Sequence, residues 1–108
     1  MRELFNPTSE KGHYDQKDDL LVTAALSGNQ QALEELISRH QGWIHNIAVR
    51  MLWNPQDAQD TTQEILLKIV TYLSSFRRES AFRTRAYRIV CNHVLNCRRR
   101  IWSATLKN

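Results

Sequence analysis

Apolar residues recur at intervals of three and four along most of this chain, and that period commits it to helices packed against one another. Between Asn29 and Trp53 the stripe is Leu33, Leu36, Ile37, His40, Ile44, Ile47, Ala48, Met51 and Leu52. Between Asn54 and Phe76 it is Ala58, Thr62, Ile65, Leu66, Ile69, Leu73 and Phe76. After Ser80 it is Phe82, Ala86, Ile89, Val90, Val94, Cys97 and Ile101. A half-buried strand would alternate at every second residue, and three Gly and two Pro in 108 residues are too few turn-formers for an all-β chain. The expected fold is all-α, a compact bundle of about four helices.

Stop and start signals divide the bundle. A short first helix is expected from about Asp19 to Ser27, capped by Asp18, with Leu21, Ala24 and Ala25 on one face and Gly28 as the stop. Asn29 is a cap for the second helix, and Gly42 inside it marks a candidate bend. Asn54-Pro55 opens the third: Asn54 accepts from free N–H groups, and Pro55 occupies the first turn, where a missing N–H costs nothing. Asp57 and Asp60 then face the positive end of the helix dipole. Ser80 is the cap expected for the fourth helix. Residues 1–17 are polar and aperiodic and read as a flexible leader, leaving 18–108 as one helical domain.

Charge separates along the chain. Met1 to Ser75 carries six cations against ten anions, a balance of −4, whereas Phe76 to Asn108 carries nine cations against one anion, a balance of +8. Eight of those nine are Arg, whose planar fork grips phosphate in two places and stacks on bases. Phe76, Phe82 and Tyr87 are interleaved with Arg77, Arg78, Arg83 and Arg88, a mixture suited to single-stranded nucleic acid. On the fourth helix, Arg88, Asn92, Asn96 and Arg99 share the side away from the apolar stripe. On the third, Asp60, Gln63, Glu64 and Lys68 do the same, and Gln63 and Glu64 lie beyond the reach of the dipole, as a docking surface for a basic partner would.

Other classes find little support. No apolar run approaches the roughly 18 residues of a membrane span, and Met1 to Lys11 lacks the core of a signal peptide, so a cytoplasmic protein with reduced thiols is expected. His93 and Cys97 share a face at i, i+4, but Cys91 and Cys97 stand about 240° apart around a helix. That is poor zinc geometry, so no metal is expected and Cys97 reads as an ordinary buried residue. With no phosphate-cradling glycine loop, nucleophile motif or carboxylate pair, the chain is expected to catalyse nothing and to need no cofactor.

Three blocks together resemble region 2 of bacterial sigma-70-type transcription initiation factors, in the extracytoplasmic-function (ECF) group. Leu26-Ser27-Gly28-Asn29-Gln30-Gln31-Ala32-Leu33 is similar to the family's opening pattern. Asp57-Ala58-Gln59-Asp60-Thr61-Thr62-Gln63-Glu64-Ile65 resembles its Asp-Ala-Glu-Asp-Leu-x-Gln-Glu block. The run from Phe76 to Asn92 resembles Phe-Arg-x-x-Ser-x-Phe-x-Thr-Trp-Leu-Tyr-Arg-Ile-Ala-x-Asn. The blocks stand in family order and cover about Asp19 to Arg100.

The resemblance implies that Asp60, Gln63 and Glu64 dock on the clamp helices of the largest subunit of core RNA polymerase. It also implies capture of the non-template single strand of the promoter −10 element, with one base flipped out of the duplex. By position, Phe76, Ser80, Ala81 and Asn92 border that pocket, and Arg77, Arg83, Tyr87 and Arg88 hold or support the melted strand. Asn96 and Arg99 extend the same basic, amide-rich face. The family's Trp-Leu is Arg85-Ala86 here, adding a cation for phosphate, and the Leu after Asp60 is Thr61. Family members continue into a helical domain that reads the −35 element; none follows Asn108, so the chain is read as an excised domain or a shortened relative. Two other readings stand beside this one: a helix-turn-helix regulator of duplex DNA, and a sigma-like interaction module bound by an anti-sigma factor without initiation activity.

Overall fold

The computed structural model describes residues 15–76 and 81–107, the Lys107 side chain apart. Among these residues there are four α-helices, α1 (Gln16–Leu26), α2 (Gln30–Leu52), α3 (Pro55–Thr71) and α4 (Phe82–Lys107), with a 3-10 turn at Leu73–Ser75. The all-α expectation holds, and among the described residues no helix is long and apolar enough to cross a membrane. The long helices α2, α3 and α4 pack on one another, and α1 lies against α2.

The start and stop residues act largely as their chemistry dictates. Asn29 accepts from the Ala32 N–H at 3.0 Å, and Asn54 accepts from the N–H groups of Gln56 and Asp57 at 2.9 and 3.0 Å. Because Asn54 satisfies two donors, Asn54→Ala is expected to cost about 1 kcal/mol in a urea melt, with the fold retained. Gly28 takes a φ of 100°, the left-handed conformation that ends α1. Helix α2 runs through Gly42 without interruption and ends on Trp53, whose φ of 59° is unusual for a bulky residue. The exposed Trp53 ring lies under the Arg98 guanidinium of α4 at 4.9 Å.

Asp18 is not the cap of α1. That role falls to Asp15, which accepts from the Lys17 N–H at 2.9 Å, and the helix starts at Gln16. Residues 15–17 therefore carry the cap and first turn of α1, while residues 1–14 of the expected leader lie outside the described residues. Asp18 instead faces inward, only 3% exposed, because Arg39 and His40 of α2 wait there to compensate its charge. A local reading of the sequence could not see partners 21 and 22 residues away.

The core is the three stripes brought together: Leu36, Ile44, Ala48 and Leu52 meet Ala58, Ile65, Leu66 and Ile69, and both meet Ala86, Val90 and Val94. Ile101, expected to face inward, is exposed because it stands on the last turns of α4. Thr61 is almost wholly buried, where the related motif has Leu, and its hydroxyl meets the Cys97 thiol at 3.3 Å. This contact gives the buried hydroxyl a partner and leaves Cys97 as a core residue. The Thr62 hydroxyl donates to the Ala58 carbonyl at 2.7 Å.

Candidate functional site

The two candidate faces are the outward sides of α3 and α4, displayed because the opposite sides of the same helices fill the core. On α3, Asp60, Gln63, Glu64 and Lys68 are all exposed. Asp60 accepts from the Gln56 amide at 3.0 Å, one turn earlier. A Glu64 carboxylate oxygen lies 2.9 Å from Nε2 of His93 on α4, so the two helices are joined beneath the acidic face. Sequence periodicity does not reveal this pair, which is 29 residues apart. It also missed Leu67, an apolar side chain 67% exposed beside Gln63 and Glu64 on the next turn.

On α4, Arg88, Asn92, Asn96 and Arg99 are exposed. Their spacing of four, four and three places them along one side. No Asp or Glu occurs between Phe82 and Lys107, so this side presents cations and amides without an internal neutralising charge. The remaining residues of the expected strand-binding set divide. Phe76 and Ala81 are buried, Phe76 stacking on Phe82 with ring centroids 4.8 Å apart. Arg77 and Ser80, with the expected cap role of Ser80, lie outside the described residues. Arg85 covers the Phe76 ring at 5.4 Å and donates to the Ser75 hydroxyl at 3.4 Å.

Arg83 and Tyr87 turn toward α2 and meet Trp43 there. The Arg83 guanidinium lies 5.2 Å from the Trp43 ring, and the Tyr87 ring lies 6.4 Å from it, tilted by 33°. Burial lowers the pKa of Arg83, a pull that the carboxylates of Asp18 and Asp15 oppose. A hydrogen bond with Cys91 pushes the Tyr87 phenol up from its ordinary 10.0, and partial burial adds to it.

Behind these side chains lies a buried relay. Trp43 Nε1–H donates to His40 Nδ1 at 2.9 Å, which requires a lone pair on that nitrogen. His40 Nε2 in turn donates to Asp18 Oδ1 at 2.9 Å. Arg39 Nε donates to the same oxygen at 2.9 Å, and its outer nitrogen pairs with Asp15. Burial alone would raise the Asp18 pKa, but the His40 hydrogen bond and the Arg39 pairing outweigh it and hold the carboxyl below the ordinary 3.8. The His40 ring also lies 4.8 Å from Phe82, which itself stacks on Phe76. The relay thus reaches the residues on both flanks of the arginine-containing segment 77–80.

The sigma-70 region 2 family matches residues 36–104, a span that holds most of α2, all of α3 and most of α4. RNA polymerase sigma-H factor of Pseudomonas aeruginosa is 36% identical over 81 residues, covering 75% of this chain and 42% of that protein. ECF RNA polymerase sigma-E factor of Escherichia coli K12 is 35% identical over 79 residues, 73% of this chain and 41% of the relative. ECF RNA polymerase sigma factor SigM of Mycobacterium tuberculosis is 30% identical over 89 residues, 82% of this chain and 45% of the relative. The chain thus spans less than half the length of these relatives. With a family match over more than half its residues and an all-α bundle built from the same blocks, the chain belongs to the sigma-70 region 2 family, in its ECF group.

Proposed function

We propose that this chain is a two-faced transcription initiation module, in which α3 docks on core RNA polymerase and α4 holds the melted non-template strand of a promoter −10 element. It works by binding and not by catalysis. The observation that carries the reading is that acidic and amide side chains stand exposed on α3 while an uncompensated cationic and amide side stands exposed on α4. One small body can therefore engage two chemically different partners at once.

On α3, Asp60, Gln63 and Glu64 offer carboxylates and an amide to the clamp helices of the largest polymerase subunit. On α4, Arg88 and Arg99 neutralise phosphates, and the amides of Asn92 and Asn96 offer both donors and acceptors to base edges. By sequence the segment from Arg77 to Ser80 adds further cations, and the resemblance puts Phe76, Ser80, Ala81 and Asn92 at the border of a pocket for a flipped base. Flipping costs a few kcal/mol of stacking, which the pocket must return through contacts made only with the opened strand. A cytoplasmic site of action and control by an anti-sigma factor accompany this reading.

The test is fluorescence anisotropy of labelled single-stranded and duplex oligonucleotides across a salt series. Three to five phosphate contacts predict a slope of log K against log salt of about −2 to −3.5 for the single strand, and Arg88→Ala should reduce it by about 0.7. The single strand should bind more tightly than the duplex. Equal affinity for the two would instead favour a duplex-binding regulator, and binding indifferent to salt would remove the phosphate contacts altogether.

A further inference from the structure

We infer that Trp102, near the end of α4, is a base-stacking residue that carries the strand-holding face one turn beyond Arg99. The inference rests on the proposed role of α4 and lengthens that face along the same helix. Trp102 stands about 40°, 60° and 80° around the helix from Arg88, Arg99 and Asn92, so all four side chains leave the same half of it. The Trp102 side chain is 63% exposed, which leaves most of its indole open to a partner.

A single exposed apolar side chain decides nothing by itself. Its setting does. Arg98, Arg99 and Arg100 precede Trp102, all exposed, and none of the three has a carboxylate partner among the described residues. Helix α4 holds no Asp or Glu that could neutralise them. Whatever covers the indole must therefore bring negative charge to three guanidinium groups, and a nucleic acid strand does so because a phosphate accompanies every base. Arg98, one turn before Trp102, is already held against the Trp53 ring at 4.9 Å. A guanidinium placed in this way loses less side-chain freedom when it meets a phosphate than one without such a contact. Charge then goes to the arginines and the base to the indole. Every base has a π-face, so Trp102 adds affinity for an opened strand without adding sequence preference.

The experiment uses the 108-residue chain and two variants, Trp102→Leu and Trp102→Phe, at a position whose exposure should leave all three melting within a few degrees of one another. Labelled oligothymidine of about 12 nucleotides, within the site sizes seen for single-strand binders, is titrated by fluorescence anisotropy across a salt series. Trp102→Leu should weaken binding about five- to 150-fold with the salt slope unchanged, as loss of stacking without loss of charge requires. Trp102→Phe, which keeps an aromatic face, should recover most of that loss. A Trp102→Leu chain that binds as tightly as the parent, or a Trp102→Phe chain no better than Trp102→Leu, would overturn the inference while leaving strand capture by α4 standing. Strand affinity kept while retention by core polymerase is lost would assign the indole to a protein contact and overturn it equally. Absence of any strand binding by the parent would overturn the reading of α4 and this inference with it.

Discussion

His40→Ala is expected to destabilise the domain by about 3 kcal/mol at neutral pH, a large fraction of the stability of a domain this size. Three losses combine. The substitution takes from Asp18 a hydrogen-bond donor at 2.9 Å while Asp18 stays buried, so the remaining carboxylate depends on Arg39 alone. It leaves the Trp43 N–H without its acceptor, and it empties the space beside Phe82. The pH dependence separates these terms. In the parent, the Asp18 pKa is lower in the folded than in the unfolded chain. Its contribution is therefore fully present above the ordinary 3.8 and is lost as pH falls through the folded value. In the variant, burial without the His40 bond raises that folded pKa, so the penalty should be greatest at neutral pH and shrink once Asp18 is protonated. Urea melts of both chains between neutral and acid pH check this. A pH-independent penalty would mean that the cavity, not the carboxylate, carries the cost. His40→Gln, whose amide can donate to Asp18, should recover part of the loss.

The periodicity that makes the helices legible also made their outward faces legible. Positions 88, 92, 96 and 99 had to face away once Val90, Val94 and Cys97 faced in, and α3 followed the same logic with Gln63 and Glu64. Local chemistry placed Asn29, Asn54 and Gly28 because a cap is decided by the three or four residues that follow or precede it. What stayed hidden were pairings across the bundle. Asp18 carries the sequence mark of a cap, and only the approach of Arg39 and His40 turns it into a buried ion-pair member. Trp43 stands three residues after His40 and four before Ile47, in step with the stripe of the second helix and packed against the core, but its meeting with Arg83 and Tyr87 depends on the crossing of α2 and α4. Ile101 continued the inward spacing of α4 but is 36% exposed, since a helix can keep its period past the ends of its neighbours.

Gln63→Ala with Glu64→Ala is expected to weaken retention by core polymerase at least tenfold while leaving the melting temperature within a few degrees of the parent. Both side chains are exposed, so no core packing is lost. Among the described residues the internal partner removed is His93, and an exposed pair of this kind contributes about 0–1 kcal/mol. Binding partners, by contrast, concentrate their energy in few residues, and truncation of a charged contact at a protein interface commonly costs more than 2 kcal/mol. Leu67, exposed on the next turn, is the apolar side chain such a contact is expected to cover.

The division of labour between α3 and α4 is tested most directly by crossing two double variants, Gln63→Ala with Glu64→Ala and Arg88→Ala with Asn92→Ala, against two partners, core polymerase and single-stranded DNA. Separate faces predict that the first pair loses polymerase and keeps the strand, and that the second loses the strand and keeps polymerase. If either pair of substitutions weakens both partners equally in a chain that still melts like the parent, the two faces are one surface and the account is contradicted.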